Sequence, residues 1–408
     1  ASIPLASGGW AETKAAYRLL DNPALEWREI LEVHTQRTVE RMAGHPVVLC
    51  LQDTTELDFT GQPGIAGLGR LSYEARRGLY VHPTLVVTPQ GLAFGVVDAW
   101  LWARPPQGEA TVKESVRWVE GYEIVADLAE QTPATRLVYI ADREGDLRVL
   151  MDAAARRGHP ADWLVRATHN RKTITGDKLW TRVERGEALG AIEFALPATA
   201  VRPARRVRQT LYRETVTLPA RTGAPTVTVT AILAREDGAP EGATPVDWRL
   251  LTNRSADTLD AVVELIEWYR RRWLIEIFFR ILKSGCRVEA LQLGTLERLE
   301  RALVLYRIIA WRILHLVTWG RESPNLSCEV VFDPEEWRAA WIVAHRKPPP
   351  DIPPPLGQMT RLIAGFGGFL GRKSDGYPGP KAIWEGMQKV YAFAIGVAAA
   401  QQAFIPLG

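Results

Sequence analysis

Sulfur is scarce in this chain. Its three cysteines, Cys50, Cys286 and Cys328, are odd in number and widely separated in 408 residues, which excludes a disulfide framework and a structural zinc site and points to a reducing cytoplasm. The seven histidines show no zinc-protease or zinc-finger spacing, and no Gly-x-Ser-x-Gly nucleophile turn occurs. The N-terminus lacks the basic stretch and long apolar run of a secretory signal. An uninterrupted membrane-length apolar run is missing too: Arg307 and Arg312 break up residues 303–319, which read as a core helix, so no membrane is expected. A strong excess of one charge is also absent, the formal net charge being +3.

What remains is the composition of a folded chain, 47% apolar and 24% charged, long enough for one large unit with appendages or for two to three domains. Its charge is uneven. Residues 163–213 carry eleven Lys/Arg against four Asp/Glu, whereas residues 1–60 carry five against nine. A basic middle segment can neutralise phosphates, although a solvated sheet surface has the same composition.

Helices are expected over 13–20 and 24–41, ended by Gly44-His45-Pro46. Residues 47–51 form a continuous apolar run that predicts a strand buried on both faces, with Asp53 at its exit. Residues 79–88 and 92–102, separated by Pro89-Gln90-Gly91, predict an antiparallel hairpin, and 110–131 an amphipathic helix. A second apolar strand, 137–141, delivers Asp142 just before a helix-compatible segment at 145–157. The two aspartates therefore share one kind of setting.

A short strand at 163–167 precedes alternating, turn-rich sequence that reads as a β-rich insertion over 169–247. Helical periodicity returns over 258–283 and again from about 296 to 319. Beyond Arg346 two proline triplets suggest an extended connector, followed by a glycine-rich loop at 365–379, read as a plain connector, and a helix over 381–404. The expected organisation is a helical segment 1–45, a core in two parts, 46–168 and 248–346, the insertion 169–247 between them, and a helical C-terminal module 347–408.

On a wheel of about 100° per residue, with Tyr269 at zero, Arg272 falls near about −60°, Glu276 near about −20°, Arg280 near about +20° and Lys283 near about −40°. Apolar residues, among them Ile275, Phe278 and Phe279, take the other side, so a firmly packed helix is expected to present one carboxylate among aromatic and basic groups. Singly, Glu276 reads as an ordinary helix salt-bridge partner.

The spacing Tyr269-x2-Arg272-x3-Glu276-x6-Lys283 resembles the signature helix of the bacterial IS-four family of DDE transposases. Asp53-Thr54-Thr55 and the turn from Asp142 to Asp146 resemble that family's two aspartate motifs, in the same order, and further matches extend over nearly the whole chain. The resemblance implies an RNase H-like α/β core, a mixed sheet flanked by helices, interrupted by a β-rich insertion and followed by a helical module that dimerises. It further implies that Asp53, Asp142 and Glu276 are the catalytic metal ligands, holding two Mg2+ or Mn2+ ions. Three converging carboxylates repel one another and make physical sense around a divalent cation with a preference for oxygen.

By the same resemblance Tyr269, Arg272 and Lys283 hold phosphates, Trp248 stacks an extruded base and Arg166 lies beside it. Arg280 is a weaker phosphate candidate, and supporting roles suit His82, Glu144 and Asp146. The implied partners are double-stranded transposon-end DNA, target DNA and a second copy of the chain, in a bacterial cytoplasm at the nucleoid. The implied reaction is cut-and-paste transposition: hydrolysis, hairpin formation and opening, and strand transfer. In this family an end-binding domain precedes the segment that resembles residues 2–23, and its absence is expected here. An RNase H-like nuclease with the same acids, or an inactive DNA-binding descendant, are the alternative readings.

Overall fold

The computed structural model describes residue 3, residue 7 and residues 9–403, other than 107, 110–112, 197 and 199–202. The expected N-terminal helices are α1 (Trp10–Asp21) and α2 (Trp27–Met42). The latter opens with a capping box in which Glu26 and Glu29 satisfy each other's backbone N–H groups. The first apolar run is strand β1 (Val47–Gln52), buried on both faces: Leu49 and Leu51 enter one hydrophobic core, Val48 and Cys50 the other.

A short β2 (Thr55–Asp58) and β3 (Gly69–Arg70) lead into the hairpin of β4 (Arg77–Val87) and β5 (Ala93–Trp102). Helix α3 (Val116–Gln131), whose expected first residues lie outside the described ones, leads to β6 (Arg136–Ala141). A 3-10 turn (Arg143–Gly145), α4 (Arg148–Arg156) and β7 (Asp162–Arg166) follow. The strands β5-β4-β1-β6-β7 lie side by side, with β1, β6 and β7 parallel and β4 antiparallel to β1. This mixed, helix-covered sheet fits the core expected from the sequence.

Helix α5 (Leu179–Glu184) and strands β8 (Ala188–Leu196), β9 (Arg205–Leu218) and β10 (Val227–Glu236) make up the β-rich segment. They do not form a separate sheet. Strand β11 (Trp248–Thr252) pairs with β7 on one side and β10 on the other, so eleven strands form one sheet.

The expected single helix over 258–283 is broken. It runs as α6 (Leu259–Arg271), α7 (Trp273–Arg280) and one turn of π-helix (Ile281–Gly285). At the first break the Arg272 N–H donates to the Tyr269 carbonyl at 3.0 Å and the Ile275 N–H to the Arg272 carbonyl at 3.1 Å, the i+3 spacing of a tightened turn. At the second, the Cys286 N–H reaches the Ile281 carbonyl at 2.7 Å, an i+5 spacing.

Helix α8 (Leu296–Glu322) is long and apolar enough to cross a membrane, yet one side of it packs into the core, including a fully buried Arg307. The C-terminal part holds α9 (Pro334–His345) and α10 (Leu356–Phe366), neither of which the proline and glycine content suggested. The last helix, α11 (Pro380–Ala403), is the expected one, and its expected end at Phe404 lies outside the described residues.

Candidate active site

Strands β1 and β6 run parallel with Leu51 opposite Ile140, so the residues two places on, Asp53 and Asp142, leave the sheet at the same end. Crevices at the carboxyl ends of parallel strands are where open α/β sheets bind ligands. Asp142 caps the 3-10 turn that follows it, its Oδ1 accepting from the Glu144 N–H at 2.9 Å. Asp53 is held at both oxygens: Oδ1 accepts from the Thr54 N–H at 2.8 Å and Oδ2 from Arg272 Nη1 at 2.7 Å.

The helix break brings Arg272 into this position. Its guanidinium, only 13% exposed, also faces Glu276 Oε1 at 3.4 Å and thus ties the third acid to the first. Burial pushes Asp53 up to about 7; Arg272 opposes that shift, while the nearby charges of Asp142 and Glu276 add to it. The burial outweighs the ion pair, so Asp53 is short of positive charge. Burial also works against the charge of Arg272, but Tyr269, Asp53, Asp142 and Glu276 together hold it above the usual arginine range.

Tyr269 is 6% exposed, its phenol pushed up by burial and facing Arg272, Arg166 and Asp142. It is therefore part of the core as well as of the site. Arg166, at the end of β7, donates to the Asp247 carbonyl at 3.1 Å, next to Trp248. Trp248 lies half-buried at the start of β11, stacked on Phe194 of β8 with ring centroids 5.7 Å apart and planes 10° apart.

Lys283 sits on the π-turn, and its charge acts on Asp58 of β2. The uniform 100° wheel placed it with Arg272 and Glu276, but tightening at Arg272 and widening at 281–285 change the phase between them. Asp146 serves the scaffold: it is 1% exposed, accepts from the Thr168 and His169 N–H groups at 2.7 and 2.9 Å, and pairs with Arg171 at 2.6 Å. A cleft of about 480 Å³ is lined by Thr54, Arg143 and Glu144, close in sequence to the two aspartates, and by none of the three acids themselves.

The sequence reading passed over Trp273, which is 60% exposed between Arg272 and Glu276. The signal was available, since a wheel of about 100° per residue puts Trp273 at about +40°, bordering the polar stripe beside Arg280. An exposed indole there has no packing role to explain it.

Residues 120–312 match the family described as transposase DDE domain. The chain carries a transposase DDE domain. The match contains Asp142 and Glu276, and Asp53 lies upstream of it on the neighbouring strand. Beyond the DDE domain, residues 308–404 match the transposase Tn5 dimerisation domain. Residues 1–25 match a family described as transposase DNA-binding. A solved piggyBac transposase synaptic complex with hairpin DNA is similar at 9% identity and a TM-score of 0.38, over 74% of this chain and 53% of that one. The chain thus spans about half the length of that relative.

The oxygen-only donors of Asp53, Asp142 and Glu276 fit a hard divalent cation, as DDE domains generally use. Among the described residues, however, no three acidic, histidine or cysteine side chains form a ready ligand group. Arg272 instead lies between two of the three acids, 2.7 Å from Asp53 Oδ2 and 3.4 Å from Glu276 Oε1.

Proposed function

We propose that the protein is an IS-four-type DDE transposase that cuts transposon-end DNA and joins it to target DNA with one RNase H-like active site. The observation that carries this reading is that Asp53 and Asp142 leave adjacent parallel strands at the same end, and that Arg272 joins the first of them to Glu276. Asp53, Asp142 and Glu276 would hold two Mg2+ or Mn2+ ions. Such ions supply Lewis-acid activation of the attacking oxygen and stabilise the leaving 3′ oxygen.

In this reading Arg272 exchanges carboxylate for phosphate. Its planar fork, held by Tyr269 at the helix break, turns to the phosphate as the acids take up cation. Lys283 acts at longer range as a point charge. Water first cleaves the P–O3′ bond, leaving a 3′ hydroxyl and a 5′ phosphate. The 3′ oxygen then attacks the opposite strand and displaces its 3′ oxygen to close a hairpin; water reopens it, and the same hydroxyl attacks target DNA. A base must leave the helix for so tight a hairpin. Trp248, backed by Phe194 and with Arg166 nearby, is the stacking platform, and exposed Trp273 is suited to wedge into the vacated stack.

Two copies would pair through the C-terminal helices, and the basic strand β9 would lie along DNA, in a bacterial cytoplasm at the nucleoid. The deciding experiment incubates the protein with end-labelled transposon DNA and Mg2+ or Mn2+, resolving nicks, hairpins and joined products. All three are expected. Nicks alone would make the protein a nuclease, and no cleavage with either ion would remove the enzyme reading.

A further inference from the structure

Asp53 stands between two residues whose side chains bond to the same imidazole. Thr54 Oγ1 lies 2.8 Å from Nδ1 of His82, and Gln52 Oε1 lies 3.1 Å from its Nε2. On an extended strand, neighbours i−1 and i+1 share one face and residue i points to the other. A ring that binds both neighbours therefore fixes the strand exit and leaves Asp53 only the opposite direction, toward Arg272. We propose that His82 is a positioning residue for Asp53, stapling Gln52 and Thr54 so that the Thr54 N–H holds the Asp53 carboxylate ready for a divalent cation. This rests on the reading of Asp53 as a metal ligand.

The proton placement follows from the partners. Gln52 spends its Nε2 group on Thr84 Oγ1 at 2.6 Å, so its Oε1 faces the ring and can only accept. His82 Nε2 therefore carries the hydrogen, and bare Nδ1 accepts from the Thr54 hydroxyl. The ring is 1% exposed and lies edge-on to Trp118 with centroids 4.5 Å apart; burial, assisted by Arg117, pushes it down to about 3 and keeps Nδ1 free to accept. No slack exists behind Gln52, because a Cβ on Gly121 of α3 would stand 2.1 Å from its Nε2. The last link is the 2.8 Å bond from the Thr54 N–H to Asp53 Oδ1, which sets the carboxylate rotamer.

The test measures Mn2+ binding by calorimetry, and Tm with EDTA, in the full chain and in Thr54→Val and Thr54→Ser. Removing groups that orient a metal ligand typically weakens affinity about 10- to 100-fold. Thr54→Val is expected to raise the Mn2+ Kd by that range, with the chain still folded and its Tm in EDTA lowered by a few degrees through the unpaired Nδ1, and Thr54→Ser to restore wild-type affinity. Wild-type affinity in Thr54→Val, or equal weakening in both variants, would overturn the staple while leaving Asp53 a ligand. A wild-type chain that takes up no Mn2+ would remove the ligand reading itself.

Discussion

Arg272 donates from Nη1 to Oδ2 of Asp53 at 2.7 Å, joining the end of strand β1 to a break in a helix 219 positions later. Each partner needs the other. Asp53 is pushed toward neutrality by burial and by like charges, and Arg272 is the cation that opposes this. Replacing Arg272 with alanine should lower strand cleavage by about 10²- to 10³-fold, the usual loss when a preorganised donor to a developing anion is removed. Arg272→Lys should recover little of it, because a point charge cannot reproduce the planar fork. Single-turnover cleavage rates at saturating DNA check this, and full rescue by lysine would refute the fork.

Glu276→Ala should abolish cleavage while DNA affinity stays within about threefold, since the change removes a cation ligand and no phosphate donor. Gel-shift titration beside the cleavage assay measures both. Retained cleavage would remove Glu276 from the site.

Trp248 and Trp273 are expected to act after the first nick. Alanine at either position should reduce hairpin product by about tenfold, the lower range of what base stacking contributes, with nicking nearly unchanged. Equal loss of both products would mean that the indoles serve the fold.

DNA binding should weaken steeply with salt, because phosphate neutralisation releases counterions. Arg206 and Arg208 project from β9 and are 84% and 59% exposed, in contact with Glu193. Changing either to glutamine should reduce the slope of log affinity against log salt by about 0.9, provided each meets one phosphate. An unchanged slope would place DNA elsewhere.

Stability should fall in acid through His34 and His315. The Val96 N–H donates to His34 Nε2 at 3.1 Å, which requires that nitrogen to be bare, and His315 Nδ1 meets the Ala93 carbonyl at 2.6 Å. Burial pushes both rings down to about 4, from the model-peptide value of 6.5. Between these values the unfolded chain binds the additional protons. The stabilisation is therefore complete above pH about 6.5 and is lost as pH falls toward about 4, by up to about 1.4 kcal/mol per pH unit for each ring. Urea melts at pH 7, 6 and 5 test this, and His34→Gln should flatten the dependence.

The sequence by itself pointed to the strands that carry the acids, because runs such as 47–51 and 137–141 are continuously apolar, short and bounded by breaks, which suits strands buried on both faces. It also placed Glu276 on a packed helix, since the alternation of apolar and polar residues there has a helical period. Local pattern carries that far. Tertiary structure decided the rest: that the helix tightens at Arg272 and widens at 281–285, that Lys283 lies on the widened turn, that the β-rich segment extends the core sheet through β11, and that His82 grips both neighbours of Asp53. These depend on strand register and on burial by distant elements, and neither periodicity nor spacing encodes them. The helix break is the sharpest case. A wheel assumes one constant angle per residue, whereas here the backbone leaves that angle twice, and the first departure coincides with the arginine that joins Asp53 to Glu276.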